Sequence, residues 1–441
     1  MTTKSKKHPR VLIVSHNAMS DTQSNGKTLS VFFKHWDTEC LAQVYLTTDV
    51  PDFSVCHKYF QINDFDIVRR FFLNKKKQGR IVEKTSVAEM KSLKDEVTKS
   101  PTLKLLRRNI SPFFRLLRDL MWSFSGYKTR ELTKFIEEFN PQIIFFQSSS
   151  GVFAYSLTKW VCKSKNIPLI MQVTDDYVSG MFTLDPFFWI QMLRVRLAFK
   201  WAISYSSCVV AIGEKMVKEY KTRFGGNYTI AMNSASEISL PKYTADNQVI
   251  NFVYAGNLGL NRWKILVLLA SCLEELKNDE GICAYLSIYS LIEPDAEELK
   301  FLNKSTCSEF KGSLTTEQLN DVKTHSDVLV HVEAFDKTNK NITRLSISTK
   351  IPEYLASGRC IFAVGPEDVA SMQYIVEDQL GVAVLSDRKE ELKEALKDII
   401  MDKEKRISYS EKGIGVARLR HNSQKTAESI SQMIKSTIAC N

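Results

Sequence analysis

The run Ser346-Ile347-Ser348-Thr349-Lys350-Ile351-Pro352-Glu353 puts hydroxyls, an amine and a carboxylate within eight residues, a set suited to holding a phosphate and a sugar diol. Ser348 or Thr349 can cap a helix, Pro352 is accepted only in its first turn, and Gly358 ends it before the run Cys360-Ile361-Phe362-Ala363-Val364. The amino end of such a helix offers free backbone amides and the positive end of its dipole, and Lys350 adds a full charge. Glu353, one turn further on, is placed to accept two hydrogen bonds from a ribose.

A second stretch, Val253-Tyr254-Ala255-Gly256-Asn257-Leu258-Gly259-Leu260-Asn261-Arg262-Trp263-Lys264, reads as a strand, a glycine turn and a helix. Gly256 and Gly259, with Asn257 between them, let a ligand approach the backbone closely, while Arg262 and Lys264 can neutralise a diphosphate. Taken alone, a glycine turn and a charged helix start are equally ordinary surface chemistry.

Together, and in this order, the Gly-Asn-Leu-Gly-x-x-Arg-Trp-Lys turn and the Ser-Thr-Lys-Ile-Pro-Glu-Tyr-Leu-Ala-Ser-Gly helix resemble family 4 glycosyltransferases of the GT-B fold. The resemblance covers the second half of the chain, and the first half more loosely, through the loop after its first strand and the segment from Val173 to Asn233. It implies two Rossmann-like domains facing a cleft, with a nucleotide-diphosphate sugar as donor substrate. Arg262 and Lys264 would hold the diphosphate and Glu353 the ribose. Transfer would proceed with retention at the anomeric carbon and without a metal or other cofactor. The family often carries a second glutamate eight positions before the one matched to Glu353, and that position, 345, is Leu. Arg344, Ser346 and Ser348 alternate with Leu345 and Ile347, so an extended chain sets those polar groups on one face, and Arg344 and Ser348 are expected at the donor. Glu333 and Asp336 are candidates for the missing carboxylate.

In the first half, Ile170-Met171-Gln172-Val173-Thr174-Asp175-Asp176-Tyr177 reads as a buried strand ending in two carboxylates. Asp175 or Asp176 can orient or deprotonate an acceptor hydroxyl, and the competing role is to cap the following segment. His16, at the end of the first strand, is a further catalytic candidate, whereas His331 is read as a structural hydrogen-bonder. Asn25-Gly26-Lys27-Thr28 carries the Gly-Lys-Thr tail of a P-loop, but the glycine that loop needs five residues before Gly26 is Asp21. The family resemblance implies instead that Asn25, Gly26 and Lys27 belong to a loop on the acceptor side, where Gly26 would give close backbone approach to the reacting sugar, with Lys27 and Thr28 opening a helix.

Short β-rich runs with helical patterns between them position these residues, the signature of an α/β chain with largely parallel sheets. Strands are expected at 10–15, 43–47, 143–147, 169–174, 208–212 and 229–232, and then at 251–255, 285–289, 328–332, 360–364 and 382–385. The polar, turn-rich segment 234–249 suits a linker. The domains are accordingly set at 1–240, with a basic helical insertion at 66–130, and at 248–411. A last helix, 412–435 within a C-terminal segment 412–441, is expected to cross back to the first domain. A chain of 441 residues exceeds the usual size of one hydrophobic core.

Nine irregularly spaced cysteines without a C-x-x-C pair argue against a disulfide framework or a zinc site and for a reducing cytoplasm. No window approaches the roughly 18 uninterrupted apolar residues of a membrane span, and the nearest, 186–204, carries Arg194, Arg196 and Lys200. The net charge of +10 is local, since residues 66–130 hold 17 Lys/Arg against 6 Asp/Glu. Within them an apolar stripe at 103, 106, 110, 113, 117 and 120 is flanked by arginines and broken by Ser111-Pro112. That pattern fits either a helix on its own sheet or one lying at an anionic membrane surface. No nucleic-acid module is present. The resulting expectation is a cytoplasmic, membrane-peripheral transferase moving a hexosyl unit to a glycan or lipid-linked acceptor in cell-surface polysaccharide synthesis. A sugar-nucleotide epimerase of the same shape and a non-enzymatic membrane scaffold are the rival readings.

Overall fold

The computed structural model describes residues 8–20, 24–73, 79–86, 111–180, 183–235, 238 and 249–440. The chain forms two compact units, Met1–Ala231 with Gln424–Asn441, and Met232–Ser423.

The first unit is built on an eight-stranded sheet of order β4-β3-β2-β1-β5-β6-β7-β8. Its strands are β1 (Val11–Ser15), β2 (Leu41–Tyr45), β3 (Lys58–Gln61), β4 (Arg80–Val82), β5 (Ile143–Gln147), β6 (Leu169–Val173), β7 (Ser206–Ala211) and β8 (Tyr228–Ile230). All neighbours are parallel except β3 and β4. Strands β1, β5 and β6 are buried at every position, as parallel strands covered on both faces must be, which is why they read as unbroken apolar runs. The segments β3 and β4 escaped the sequence reading because Lys58-Tyr59-Phe60-Gln61 and Arg80-Ile81-Val82 are short, and each opens on a cation.

The second unit has six parallel strands in the order β11-β10-β9-β12-β13-β14. They are β9 (Ile250–Ala255), β10 (Ala284–Tyr289), β11 (Ser308–Phe310), β12 (Val328–Val332), β13 (Cys360–Val364) and β14 (Gly381–Val384). In each sheet the winding reverses once, between β1 and β5 and between β9 and β12. The loops leaving the carboxyl ends of such a strand pair diverge to opposite faces and leave a crevice where ligands bind. Gly256 follows β9 and Glu333 follows β12, while His16 follows β1 and Ser148 follows β5.

The single terminal helix expected over 412–435 is two helices, Lys403–Arg420 and Ser423–Ala439. The break is fixed by His421, whose buried ring bonds Tyr374 Oη and the Asn233 carbonyl, both at 2.8 Å. Ile430 and Ile434 of the last helix then join the core of the first unit beside Val11 and Ile13. The chain thus does return to the first unit. Most of the linker segment lies outside the described residues, as do 103–110 of the apolar stripe.

Candidate functional site

In the second unit the end of β9 is braced by Tyr354, whose hydroxyl accepts from the Ala255 N–H at 3.2 Å and donates to the Ala255 carbonyl at 3.3 Å. The chain then turns at Gly256. A Cβ built there would stand 1.8 Å from Lys350 Nζ and 2.7 Å from Tyr254 Oη. The absent side chain is therefore the space that the Lys350 amine occupies, 5.1 Å from the centre of the Tyr254 ring, within cation–π range. The turn closes on itself as Tyr254 Oη donates to the Asn257 carbonyl at 2.6 Å, and Asn257 Oδ1 accepts from the Gly259 N–H at 2.8 Å. Leu260 and Asn261 follow with φ of 60° and 59°, and the helix Arg262–Glu280 begins.

Its first residue points back at the loop after β12. One terminal nitrogen of the Arg262 guanidinium donates to both oxygens of Glu333, at 3.2 and 2.9 Å, with the two side chains only 16% and 3% exposed. Burial pushes the Glu333 carboxyl up, against the pull of Arg262 and Lys350. Burial, then the neighbouring Arg262, lowers the Lys350 amine to about 7, opposed by Glu333 and Glu353. His331 stands 3.5 Å from Glu333, and burial, then Arg262, lowers it to about 3, so the imidazole is neutral. The cluster holds two cations against one buried carboxylate. An incoming anion would relieve the repulsion between Arg262 and Lys350 and restore the full charge on the amine.

The alternation of residues 344–348 holds. Leu345 and Ile347 are buried while Arg344, Ser346 and Ser348 are half-buried. Position 345 is thus core, where an ionised carboxylate would be costly, and the carboxylate beside the cations is Glu333. Asp336 has a different task, capping the helix Lys337–Thr343 through the Asn339 N–H at 3.0 Å and taking Asn261 Nδ2 at 3.0 Å. The Arg344 carbonyl accepts from the Ala370 N–H at 2.9 Å. The helix Lys350–Ala356 opens below Ser348, whose Oγ accepts from the Lys350 N–H at 3.4 Å and whose own N–H donates to Ser371 Oγ at 3.0 Å. Thr349 is exposed and makes no side-chain cap bond. Gly358, with φ of 69°, ends the segment in the left-handed conformation its position requires. Lys264 is exposed, its amine 5.6 Å from the Trp263 ring.

Glu353 has a partner that the sequence did not disclose. Lys323, almost fully buried, donates to Glu353 Oε2 at 3.1 Å. Glu353→Ala therefore removes the counter-ion of a buried lysine as well as any ligand contact. We expect it to cost roughly 1–3 kcal/mol, below the figure for a fully buried pair because Glu353 is about a quarter exposed. Thermal unfolding of Glu353→Ala beside Glu353→Ala/Lys323→Met checks this, the second variant regaining most of the loss. An unchanged Tm in Glu353→Ala would show that the pair is energetically silent.

In the first unit, His16 is half-buried, with Nδ1 enclosed and unpaired among the described residues. Burial, then Arg118, lowers it to about 4, so it is neutral and a weak base. Asp175 is exposed and accepts from Tyr177 Oη at 3.2 Å and Thr174 Oγ1 at 3.3 Å. Asp176 Oδ1 accepts from the Val178 and Ser179 N–H groups at 3.1 and 3.0 Å and from Tyr220 Oη at 2.9 Å. Asp176 thus caps the turn, which leaves Asp175 as the accessible carboxylate. Gly26 is a correction. It lies inside the helix Ser24–Phe32, where a Cβ would meet the Ala18 carbonyl at 2.4 Å and Ser20 Cβ at 2.9 Å. Its lack of a side chain serves packing against its own loop rather than approach of a ligand. Lys27 and Thr28 belong to that helix rather than beginning it, and the Asn25 carbonyl accepts from Gln147 Nε2 at 3.3 Å. Among the described residues no group of three or more His, Cys, Asp or Glu side chains is arranged to hold a metal.

No protein-family model matches the sequence, and no curated protein matches it with significance. Solved structures do match over essentially the whole chain. Sucrose-phosphate synthase from Thermosynechococcus elongatus superposes with a TM-score of 0.63 at 12% identity, covering 99% of this chain and 100% of that one. Anabaena HepE, solved in complex with UDP, gives 0.61 at 13% identity over 97% and 100% of the two chains. The α,α-trehalose 6-phosphate synthase of Burkholderia multivorans gives 0.60 at 11% identity over 98% and 99%. Two doubly wound units and this coverage place the chain in the GT-B fold that these glycosyltransferases share.

Proposed function

We propose that the chain is a nucleotide-sugar-dependent glycosyltransferase, moving a hexosyl unit from a nucleotide-diphosphate sugar to a glycan or lipid-linked acceptor. The observation that carries this reading is the pair of cations at the switch point of the second sheet, Arg262 held by buried Glu333 and Lys350 seated in the space left by Gly256. Support comes from HepE, which shares the fold and whose structures contain UDP and UDP-glucose.

In this reading the bond between the anomeric carbon and the diphosphate oxygen breaks, and a bond to the acceptor hydroxyl oxygen forms. The hydroxyl proton leaves to the departing diphosphate or to solvent. Arg262 and Lys350 stabilise the charge that grows on the leaving group, the largest electrostatic demand of the reaction. Glu353 holds the ribose, with its orientation fixed by Lys323. Asp175, and not Asp176, is the carboxylate available to orient an acceptor. Retention of configuration and a role in cell-surface polysaccharide synthesis follow from the family resemblance and complete the proposal.

The test is thermal unfolding and nucleotide release with a panel of UDP-, GDP- and dTDP-sugars. A true donor at about 100 times its Kd adds about 2.7 kcal/mol of stability, which raises the Tm of domains this size by roughly 5–10 °C. Stabilisation by ATP and by none of the sugar nucleotides would overturn the proposal. Binding with epimerisation of the sugar and no transfer would turn it into an epimerase.

A further inference from the structure

The helices Pro112–Phe124 and Pro186–Tyr205 of the first unit pack against each other and leave large apolar side chains in solvent. On the first, Phe113, Phe114, Leu117 and Phe124 are exposed, Phe124 by 76%. On the second, Trp189, Ile190, Leu193 and Leu197 are exposed, the last two by 59% and 61%. Phe113 and Phe187 meet edge to face, ring centres 5.1 Å apart, so the two sets join into one patch.

The spacing explains the exposure. Ile190, Leu193 and Leu197 form one stripe, while Phe188, Val195, Phe199 and Ala202 form another that is buried. A helix apolar on both sides is normally enclosed by protein or lipid. The charges are equally one-sided. Pro186–Tyr205 contains Arg194, Arg196 and Lys200 and no acid. The single acid of Pro112–Phe124, Asp119, is buried, bonded to Gln191 and to the Val152 N–H. Arg115 and Lys200 are exposed.

We propose that this two-helix face docks the first unit on an anionic lipid bilayer, its apolar side chains at the boundary of headgroups and acyl chains and its Arg and Lys residues at the lipid phosphates. Charge complementarity selects this occupant. A second copy packed about a two-fold axis would set the same positive rim against itself. None of the described helices is long and apolar enough to cross a membrane, so the contact is with the surface. Of the basic stripe marked in the sequence, the described part, from Ser111 on, belongs to this face, and Pro186–Tyr205 adds a second helix to it.

On its inner side the first helix carries Arg118, which bonds Asp64 at 2.8 Å, lies 5.0 Å from the Phe153 ring and acts electrostatically on His16. The docking face and the loop after β1 thus share one helix. That this delivers a lipid-linked acceptor rests on the proposed transferase activity, whereas the docking itself does not.

The full chain is sedimented with vesicles of phosphatidylcholine alone and of phosphatidylcholine with phosphatidylglycerol, with neither donor nor acceptor present. Binding is expected to the anionic vesicles and to fall with salt. Arg115→Ala and Lys200→Ala are each expected to weaken it about 5-fold, the worth of one basic residue near a charged surface. Leu193→Glu/Leu197→Glu is expected to abolish it while thermal stabilisation by the sugar nucleotide persists. Wild-type protein that stays in the supernatant, or that binds neutral vesicles equally, overturns the proposal. So does a concentration-dependent dimer that Leu193→Glu/Leu197→Glu dissociates, since a second copy would then cover the face.

Discussion

Replacing Arg262 by alanine is expected to reduce kcat/KM for sugar transfer by about 10²–10³-fold, the usual effect of removing one preorganised group from a developing negative charge. The same change leaves Glu333 buried without its guanidinium, a penalty of about 3–5 kcal/mol, the figure for breaking a buried pair. The pH dependence separates the two effects. Burial already pushes the Glu333 carboxyl up, and loss of the cation pushes it further. A carboxyl whose folded pKa exceeds its unfolded pKa destabilises the native state as pH rises through that interval, because only the unfolded chain has released the proton. The stability deficit of Arg262→Ala should therefore be small near pH 4 and grow toward neutral pH. Adding Glu333→Gln should restore stability and leave turnover low. Unimpaired turnover in Arg262→Ala would remove the residue from the site, and a pH-independent deficit would show that Glu333 stays ionised without it.

Gly256→Ala is the second large expectation, and the smallest substitution with a strong predicted effect. The new methyl would lie 1.8 Å from Lys350 Nζ, so the amine must leave its seat over Tyr254 or the turn must open. Donor affinity should fall at least 10-fold, read as a rise in KM and loss of thermal stabilisation by the sugar nucleotide. Stability should change by about 1–3 kcal/mol, the cost of overpacking. A control fixes the cause. In the wild type Lys350 is lowered to about 7, so between pH 7 and the ordinary lysine range the unfolded chain binds a proton that the native chain lacks. Stability should rise with pH across that window, and the rise should vanish in Lys350→Met. If Gly256→Ala keeps both the wild-type slope and the wild-type affinity, the amine does not occupy the glycine's space.

Much of the scaffold was legible because its signals are local. Ile143–Gln147, Val328–Val332 and Cys360–Val364 are strands at the bounds read from their apolar runs. Gly358 has the positive φ that ending a helix demands, and the alternation at 344–348 appears as alternating burial. The short strands β3, β4 and β11 were missed because three or four residues are held by their neighbours in the sheet, with little pattern of their own. The helix break at His421 was missed for a related reason, since two distant groups, Tyr374 and Asn233, hold the ring.

The sequence by itself determined most of the strands, all but the short β3, β4 and β11, where glycines and prolines punctuate them, and that cations cluster at two loops of the second half. Only the tertiary structure decided what those groups do to one another. Arg262 and Glu333 are 71 residues apart, and Lys323 and Glu353 are 30 apart. Arg262 and Glu333 meet because the parallel sheet sets the ends of the non-consecutive strands β9 and β12 side by side, and Lys323 and Glu353 because the helices that carry them lead into the paired strands β12 and β13. Gly256 looked like a place for a ligand and proves to be a place for Lys350, while Gly26 looked the same and proves to be a packing contact. A glycine records that space is needed at a backbone position. What fills that space is a tertiary matter, the chain's own preceding loop at Gly26 and the distant segment carrying Lys350 at Gly256.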